Sequence, residues 1–233
     1  MKSQTLYLSC IFLWLMLFQE PCSCSKTTTC FKEYQFTFPV SIQPTQDTLN
    51  IGDTLWVGME IPAEIINEVD SEMVFFINPV NFDFKFSLSR IDTVLIDYYG
   101  DSIRPSAINN FSIINVEGET DVIVPSSNPS ISYLDVTPVT IGEIVQRIKF
   151  GLIPGQIGVY KIGFFNLSRS FENIESFEGD ECEGIVRDIN FNLNNSLDNN
   201  NYDLFLYYTP SGSKWWYDFG VHLDEGKYVF VVR

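Results

Sequence analysis

Alanine is almost missing from this chain of 233 residues: Ala63 and Ala107 are the only two. Without the best helix former, a helical bundle is excluded as the organising principle. Histidine occurs once, at His222. Any Ser-His-Asp or Cys-His arrangement would have to use that ring, and no Gly-x-Ser-x-Gly elbow accompanies it. Its neighbours Val221 and Leu223 alternate with it, which suits a surface-facing strand position. The chain has no Gly-rich phosphate loop, no Cys-x-x-Cys pair and no His-Glu-x-x-His helix. Cations are scarce too. Fourteen Lys and Arg stand against thirty Asp and Glu, a formal net charge of -16. Such a surface repels phosphate backbones and excludes nucleic acid as a partner. No apolar run reaches the roughly 20 residues of a transmembrane helix.

The longest apolar run sits at the start. Met1-Lys2 opens the chain with positive charge, and residues 6–18 are almost wholly apolar. That length matches the roughly 7–15 residues of a secretory core. The expected organisation is a signal peptide over residues 1–25 and one β domain over 26–233, with a seam near 171–183. Two routes of signal removal stay open. Small residues at Cys22 and Cys24, or at Ser23 and Ser25, suit an ordinary signal peptidase. The run Pro21-Cys-Ser-Cys24-Ser-Lys26 also resembles the end of a bacterial lipoprotein signal, with Cys24 or Cys22 as the acylated residue. The aliphatic residue usual three places earlier is absent, which favours soluble secretion. The expected location is secreted or on the outer cell surface, with no transmembrane segment.

Of five cysteines, Cys10, Cys22 and Cys24 belong to the signal region, leaving Cys30 and Cys182 as a disulfide pair in an oxidising compartment. The alternative, metal ligation, has only His222 to help it.

The remainder is strand-forming. Tyr34, Phe36, Phe38, Val40 and Ile42 alternate with polar residues, and Pro39 among them suggests a sheet edge. Leu55, Val57, Met59 and Ile61 repeat the pattern, as do Phe82, Phe84, Phe86 and Leu88. Residues 63–69 are expected as a short helix after Pro62. Further strands are expected near 93–98, 111–116, 121–124, 131–136, 185–193 and 228–232. Residues 144–153 and 159–165, around the 155–158 turn, predict a hairpin. Residues 202–208 read as strand or helix, since periodicity does not separate the two. Many short strands at even spacing predict an all-β sandwich with at most short helices.

Two segments, Ile51-Gly-Asp-Thr-Leu-Trp-Val57 and Ile157-Gly-Val-Tyr160-Lys-Ile162, resemble immunoglobulin-like bacterial surface modules. The first is similar to a strand that often begins Gly-Asp-Thr. The second resembles a tyrosine corner, which implies that the Tyr160 hydroxyl bonds a backbone group across the loop. The layout also resembles exported Gram-negative proteins without an assigned activity, in which an early cysteine precedes a Tyr-x-Phe-x-Phe strand. The chain lacks the inter-sheet cysteine pair and core Trp of antibody domains, with Ile162 at the place of the second cysteine. The resemblance implies a fold and no activity.

Three features point toward function. Trp215, Trp216 and Tyr217 follow a polar loop, and adjacent aromatics on a strand face opposite ways, so one can be exposed to stack on a glycan or anchor a protein. Glu178, Asp180 and Glu181 lie in an acidic segment able to offer oxygens to Ca2+, though without the regular Asp-x-Asp-x-Asp-Gly spacing. Carboxylates near strand ends, Asp97, Asp101, Glu117, Glu119 and Asp121 among them, leave open an exported glycosidase-like hydrolase. The leading reading is a non-catalytic exported module that binds a glycan or protein, or has a structural role in the envelope.

Overall fold

Alternation at period two governs the longest strand, Phe31–Gln43 (β1), in which Tyr34, Phe36, Phe38, Val40 and Ile42 are all buried. The computed structural model describes residues 31–76, 84–96, 102–103, 105–126, 132–142, 145–166, 183–193, 201–208 and 227–233. After β1 come β2 (Thr48–Leu49), β3 (Leu55–Ile61), β4 (Glu64–Ile66), β5 (Met73–Phe75) and β6 (Phe84–Arg90). The short β7 (Leu95–Ile96) and β8 (Ser102–Ile103) pair with each other, and a 3-10 turn follows at Ile108–Asn110. Next are β9 (Phe111–Glu117), β10 (Glu119–Ile123), β11 (Tyr133–Thr137) and β12 (Val139–Ile141). The chain then forms β13 (Val145–Pro154), β14 (Gly158–Asn166), β15 (Glu183–Leu193), helix α1 (Tyr202–Tyr208) and β16 (Lys227–Val232).

Two six-stranded sheets carry the fold. Sheet one runs β12-β13-β3-β1-β15, with β9 also paired to β13, and sheet two runs β10-β11-β6-β14-β16-β2. They pack face to face through aromatic side chains. Phe86 of β6 meets Phe150 of β13 edge-on at 5.1 Å, and Phe84 meets Phe38 of β1 and Phe191 of β15, each at 5.9 Å. This is the all-β sandwich expected from the alternation. Edge-to-face pairs of this type contribute about 0.5–1.5 kcal/mol each beyond the area they bury. The described strands belong to one compact unit, Phe31–Arg233.

Three local expectations are corrected and one left open is decided. β13 and β14 do not form a hairpin: β13 pairs with β12, β3 and β9, and β14 with β6 and β16. Both hydrogen-bonding sides of β13 are thus occupied within sheet one. The inward Phe150 and Leu152 of β13 and the inward Ile162 and Phe164 of β14 meet across the core instead, so residues 155–157 arch between sheets. β1 is not the outermost strand of its sheet, since β15 pairs in parallel along residues 31–40 and β3 lies on its other side from Val40 onward. Pro39 sits just before the β3 ladder opens at Val40↔Met59, so its missing N–H interrupts no bond to β3. Residues 63–69 contain strand β4 paired to β5 rather than a helix. The β-branched Ile65 and Ile66 favour extension, and Asn67 takes its backbone neighbours by side-chain bonds. Residues 202–208, open in the sequence, are helical.

Asn67 completes β1 where β3 does not reach. Its side-chain oxygen accepts from Gln35 N–H at 2.9 Å, and its amide donates to the Glu33 carbonyl at 3.0 Å. Glu68 N–H donates to the Gln35 carbonyl at 2.9 Å. A fully buried amide thus stands in for a neighbouring strand, meeting the demand that buried backbone groups be paired.

At one side of the sandwich the chain changes sheets twice. β9 belongs to sheet one and β10 to sheet two; β11 belongs to sheet two and β12 to sheet one. The first crossing is at Gly118, φ +75°, where a Cβ would lie 2.5 Å from the Thr137 carbonyl oxygen. The second is at Pro138. Only glycine permits both that φ and that approach.

Candidate functional site

The two outer faces differ. Helix α1 lies over sheet two, with Phe205 buried against Ile91, Val159 and Val229. Among the described residues nothing comparable covers sheet one. Its outward positions are those left over by alternation: Pro39, Ser41 and Gln43 on β1, Trp56, Gly58 and Glu60 on β3, Arg147 and Lys149 on β13.

Register turns these positions into cross-strand rows. Gln43, Trp56 and Gly151 form one row. Ser41, Gly58, Lys149 and Glu117 form the next. Glu60 and Arg147 begin a third, continued by Val139. Gly58 is the centre of this array. A residue without a side chain, flanked at i−2 by an indole and at i+2 by a carboxylate, leaves a notch in the face. The notch is a groove of about 370 Å³, inside the roughly 300–1,000 Å³ range of small-ligand sites.

Each wall has a physical cause. The half-buried Trp56 ring lies over its cross-strand neighbour Gly151, where an added Cβ would fall 2.9 Å from Cζ3 and 3.1 Å from Cε3. Glycine at 151 therefore lets the indole settle on the sheet. Lys149 holds its ammonium 5.8 Å from the indole centroid. At an exposed position that contact is worth about 0.5–1 kcal/mol, so the lysine can move aside for a ligand at little cost. Across the notch Arg147 Nε donates to Glu60 Oε2 at 2.6 Å, both side chains half exposed. On the floor the Ser41 hydroxyl donates to the Gly58 carbonyl at 3.2 Å, and a Cβ on Gly58 would fall 2.8 Å from that hydroxyl oxygen. Any side chain there fills the groove and displaces Ser41.

The groove joins an aromatic surface to two cations and two carboxylates, Glu60 and Glu117. No group of three or more His, Cys, Asp or Glu among the described residues could hold a metal ion.

Of the residues singled out in the sequence, Tyr160 is described. It is fully buried, and its hydroxyl donates to the Gln156 carbonyl at 3.0 Å, with the Ile157 carbonyl at 3.4 Å. The Asn110 amide donates back to that oxygen at 3.5 Å. Burial raises the phenol's pKa above its ordinary value, partly offset by the Asn110 bond and by Arg90. Trp215, Trp216, Tyr217, Cys22, Cys24, Cys30, Cys182, Glu178, Asp180, Glu181 and His222 lie outside the described residues, as does the seam at 171–183. Glu117, noted only as one acid among many, borders the groove. Trp56 carries no signal in the alternation, which marks only the inward residues of its strand. The overlooked signal is the outward series Trp56-x-Gly58-x-Glu60, an indole on the polar side of a strand beside a glycine.

No family model and no curated protein matches the sequence. Among solved structures, the human F-spondin reeler domain is similar at 14% identity, covering 72% of this chain and 94% of that one, with a TM-score of 0.30. The second type II cohesin module from the cellulosomal adaptor ScaA scaffoldin of Acetivibrio cellulolyticus is similar at 12% identity, covering 66% and 94%, with a TM-score of 0.27. Similarity this slight decides nothing about ligand or partner, and the sandwich assignment rests on the chain's own sheets. Among the described residues no helix is long and apolar enough to cross a membrane.

Proposed function

We propose that this chain is an exported, non-catalytic binding module whose ligand-facing surface is the outer face of sheet one. The observation that carries this reading is the groove at Gly58, bordered by a half-buried indole on the face of the sandwich that none of the described helices covers. An indole at an outward strand position costs exposed apolar area in the free protein, and a bound ligand recovers it. The charged start and apolar run of residues 1–18 support export, and with it the proposed extracellular or cell-surface location. With one histidine in the sequence, any Ser-His-Asp or Cys-His mechanism would have to use His222.

The test is surface plasmon resonance of the purified chain against a cell-surface extract of the organism that makes it. Gly58→Arg, which fills the groove from its floor, is expected to lower the response at least tenfold while circular dichroism stays unchanged. Equal binding by a folded Gly58→Arg protein overturns the assignment of this face.

A further inference from the structure

We infer that the groove at Trp56 takes a neutral pyranose unit of a glycan, an inference that rests on the binding-module reading above. Four observations converge on this class. First, the platform is an indole settled over Gly151. The C–H bonds on one face of a pyranose carry slight positive charge and complement the negative face of an aromatic ring. Second, the polar groups around it come as donors and acceptors together. Glu60 and Arg147 form an ion pair at 2.6 Å, and Ser41 and Gln43 add neutral groups. Adjacent sugar hydroxyls each donate and accept, so a paired carboxylate and guanidinium can serve both needs without a ligand charge. Third, the formal charges bordering the groove cancel, Arg147 and Lys149 against Glu60 and Glu117, on a chain whose net charge is -16. Fourth, the notch holds about 370 Å³ and is open at the surface, which suits one unit of a longer chain.

A protein partner is the less favoured occupant. The centres of protein interfaces are depleted in Lys and Glu. Here Lys149, Glu60 and Glu117 border the floor itself; Trp56 and Pro39 are the large apolar residues at the groove's outward positions, and the exposed Ile114, Val139 and Ile141 lie beyond it on β9 and β12.

The experiment uses an array of neutral hexose and pentose oligosaccharides with a matched set of uronate oligomers, followed by titration calorimetry on hits. The expected result is binding to at least one neutral oligosaccharide. Trp56→Ala should then weaken it by at least about tenfold, the scale of a buried aromatic anchor. Trp56→Phe, which keeps a ring, should remain closer to the parent, and Lys149→Ala should change affinity less than Trp56→Ala. Binding confined to uronates overturns the neutral class. A silent array combined with groove-dependent, protease-sensitive binding to the cell-surface extract makes the ligand a protein; the glycan assignment then falls while the binding face stands. Oligosaccharide binding that Trp56→Ala and Gly58→Arg both leave intact overturns the assignment to this groove. A silent array with extract binding untouched by Gly58→Arg overturns both readings.

Discussion

The Tyr160 hydroxyl donates to the carbonyl of Gln156 at 3.0 Å, closing the arch that carries the chain from sheet one to sheet two. The ring packs edge-on against Phe111 with centroids 4.8 Å apart. Tyr160→Phe keeps that packing and leaves the Gln156 carbonyl without its donor, so it should cost about 1–3 kcal/mol. Tyr160→Ala removes the ring as well and should cost about 3–5 kcal/mol. Urea unfolding separates the two variants, and a Phe variant as stable as the parent would deny the hydroxyl its role.

Asn67 makes the same kind of contribution at the open stretch of β1. Asn67→Ala removes an acceptor from Gln35 N–H and a donor from the Glu33 carbonyl. The expected loss is about 2–3 kcal/mol. Hydrogen exchange at the Gln35 amide should accelerate beyond what the global loss explains, and unchanged exchange there would contradict the arrangement.

Gly118→Ala tests the sheet-switching corner. The substitution meets both an unfavourable φ of +75° and a carbonyl oxygen 2.5 Å from the new Cβ. A loss of at least about 1 kcal/mol is expected. Gly142, also at positive φ (+70°) but with nothing within 4 Å of its Cβ, should lose less on the same change. Thermal unfolding of the two variants compares strain with and without the clash.

Tyr228 makes stability fall in alkali. It is buried, its hydroxyl donates to the Gln46 carbonyl at 2.7 Å, and burial raises its pKa to about 12. In the unfolded chain the phenol ionises near 10. Below pH 10 both states hold the proton and the contribution is fully present. Between pH 10 and 12 only the unfolded chain releases it, so stability declines as pH rises, by about 2–3 kcal/mol across the interval. Urea midpoints measured from pH 9 to 11.5 should show the decline, reduced in Tyr228→Phe. Equal slopes in both proteins would exclude Tyr228 as its source.

Cys30 and Cys182 should be joined in protein recovered from an oxidising compartment. The parallel ladder places Phe31 in register with Glu183, the residues that directly follow the two cysteines. Non-reducing peptide mapping decides it: two free thiols would refute the bridge.

What the sequence determined by itself is which residues face inward. Tyr34, Phe36, Phe38, Leu55, Val57, Phe84 and Phe86 declare their burial because strand alternation is a local property, legible within seven or eight residues. The same local signal misled where partners mattered. Residues around Gly155 read as a hairpin turn, yet they arch between sheets because β13 already has neighbours on both sides. The Trp56 groove was likewise illegible. Gly58 is only a gap in a strand until Ser41 and Lys149, distant in sequence, are set beside it by the ladders with β1 and β13. Burial follows from the order of side chains along one strand. A site on a sheet face follows from register between strands, which the packing of the whole core alone decides.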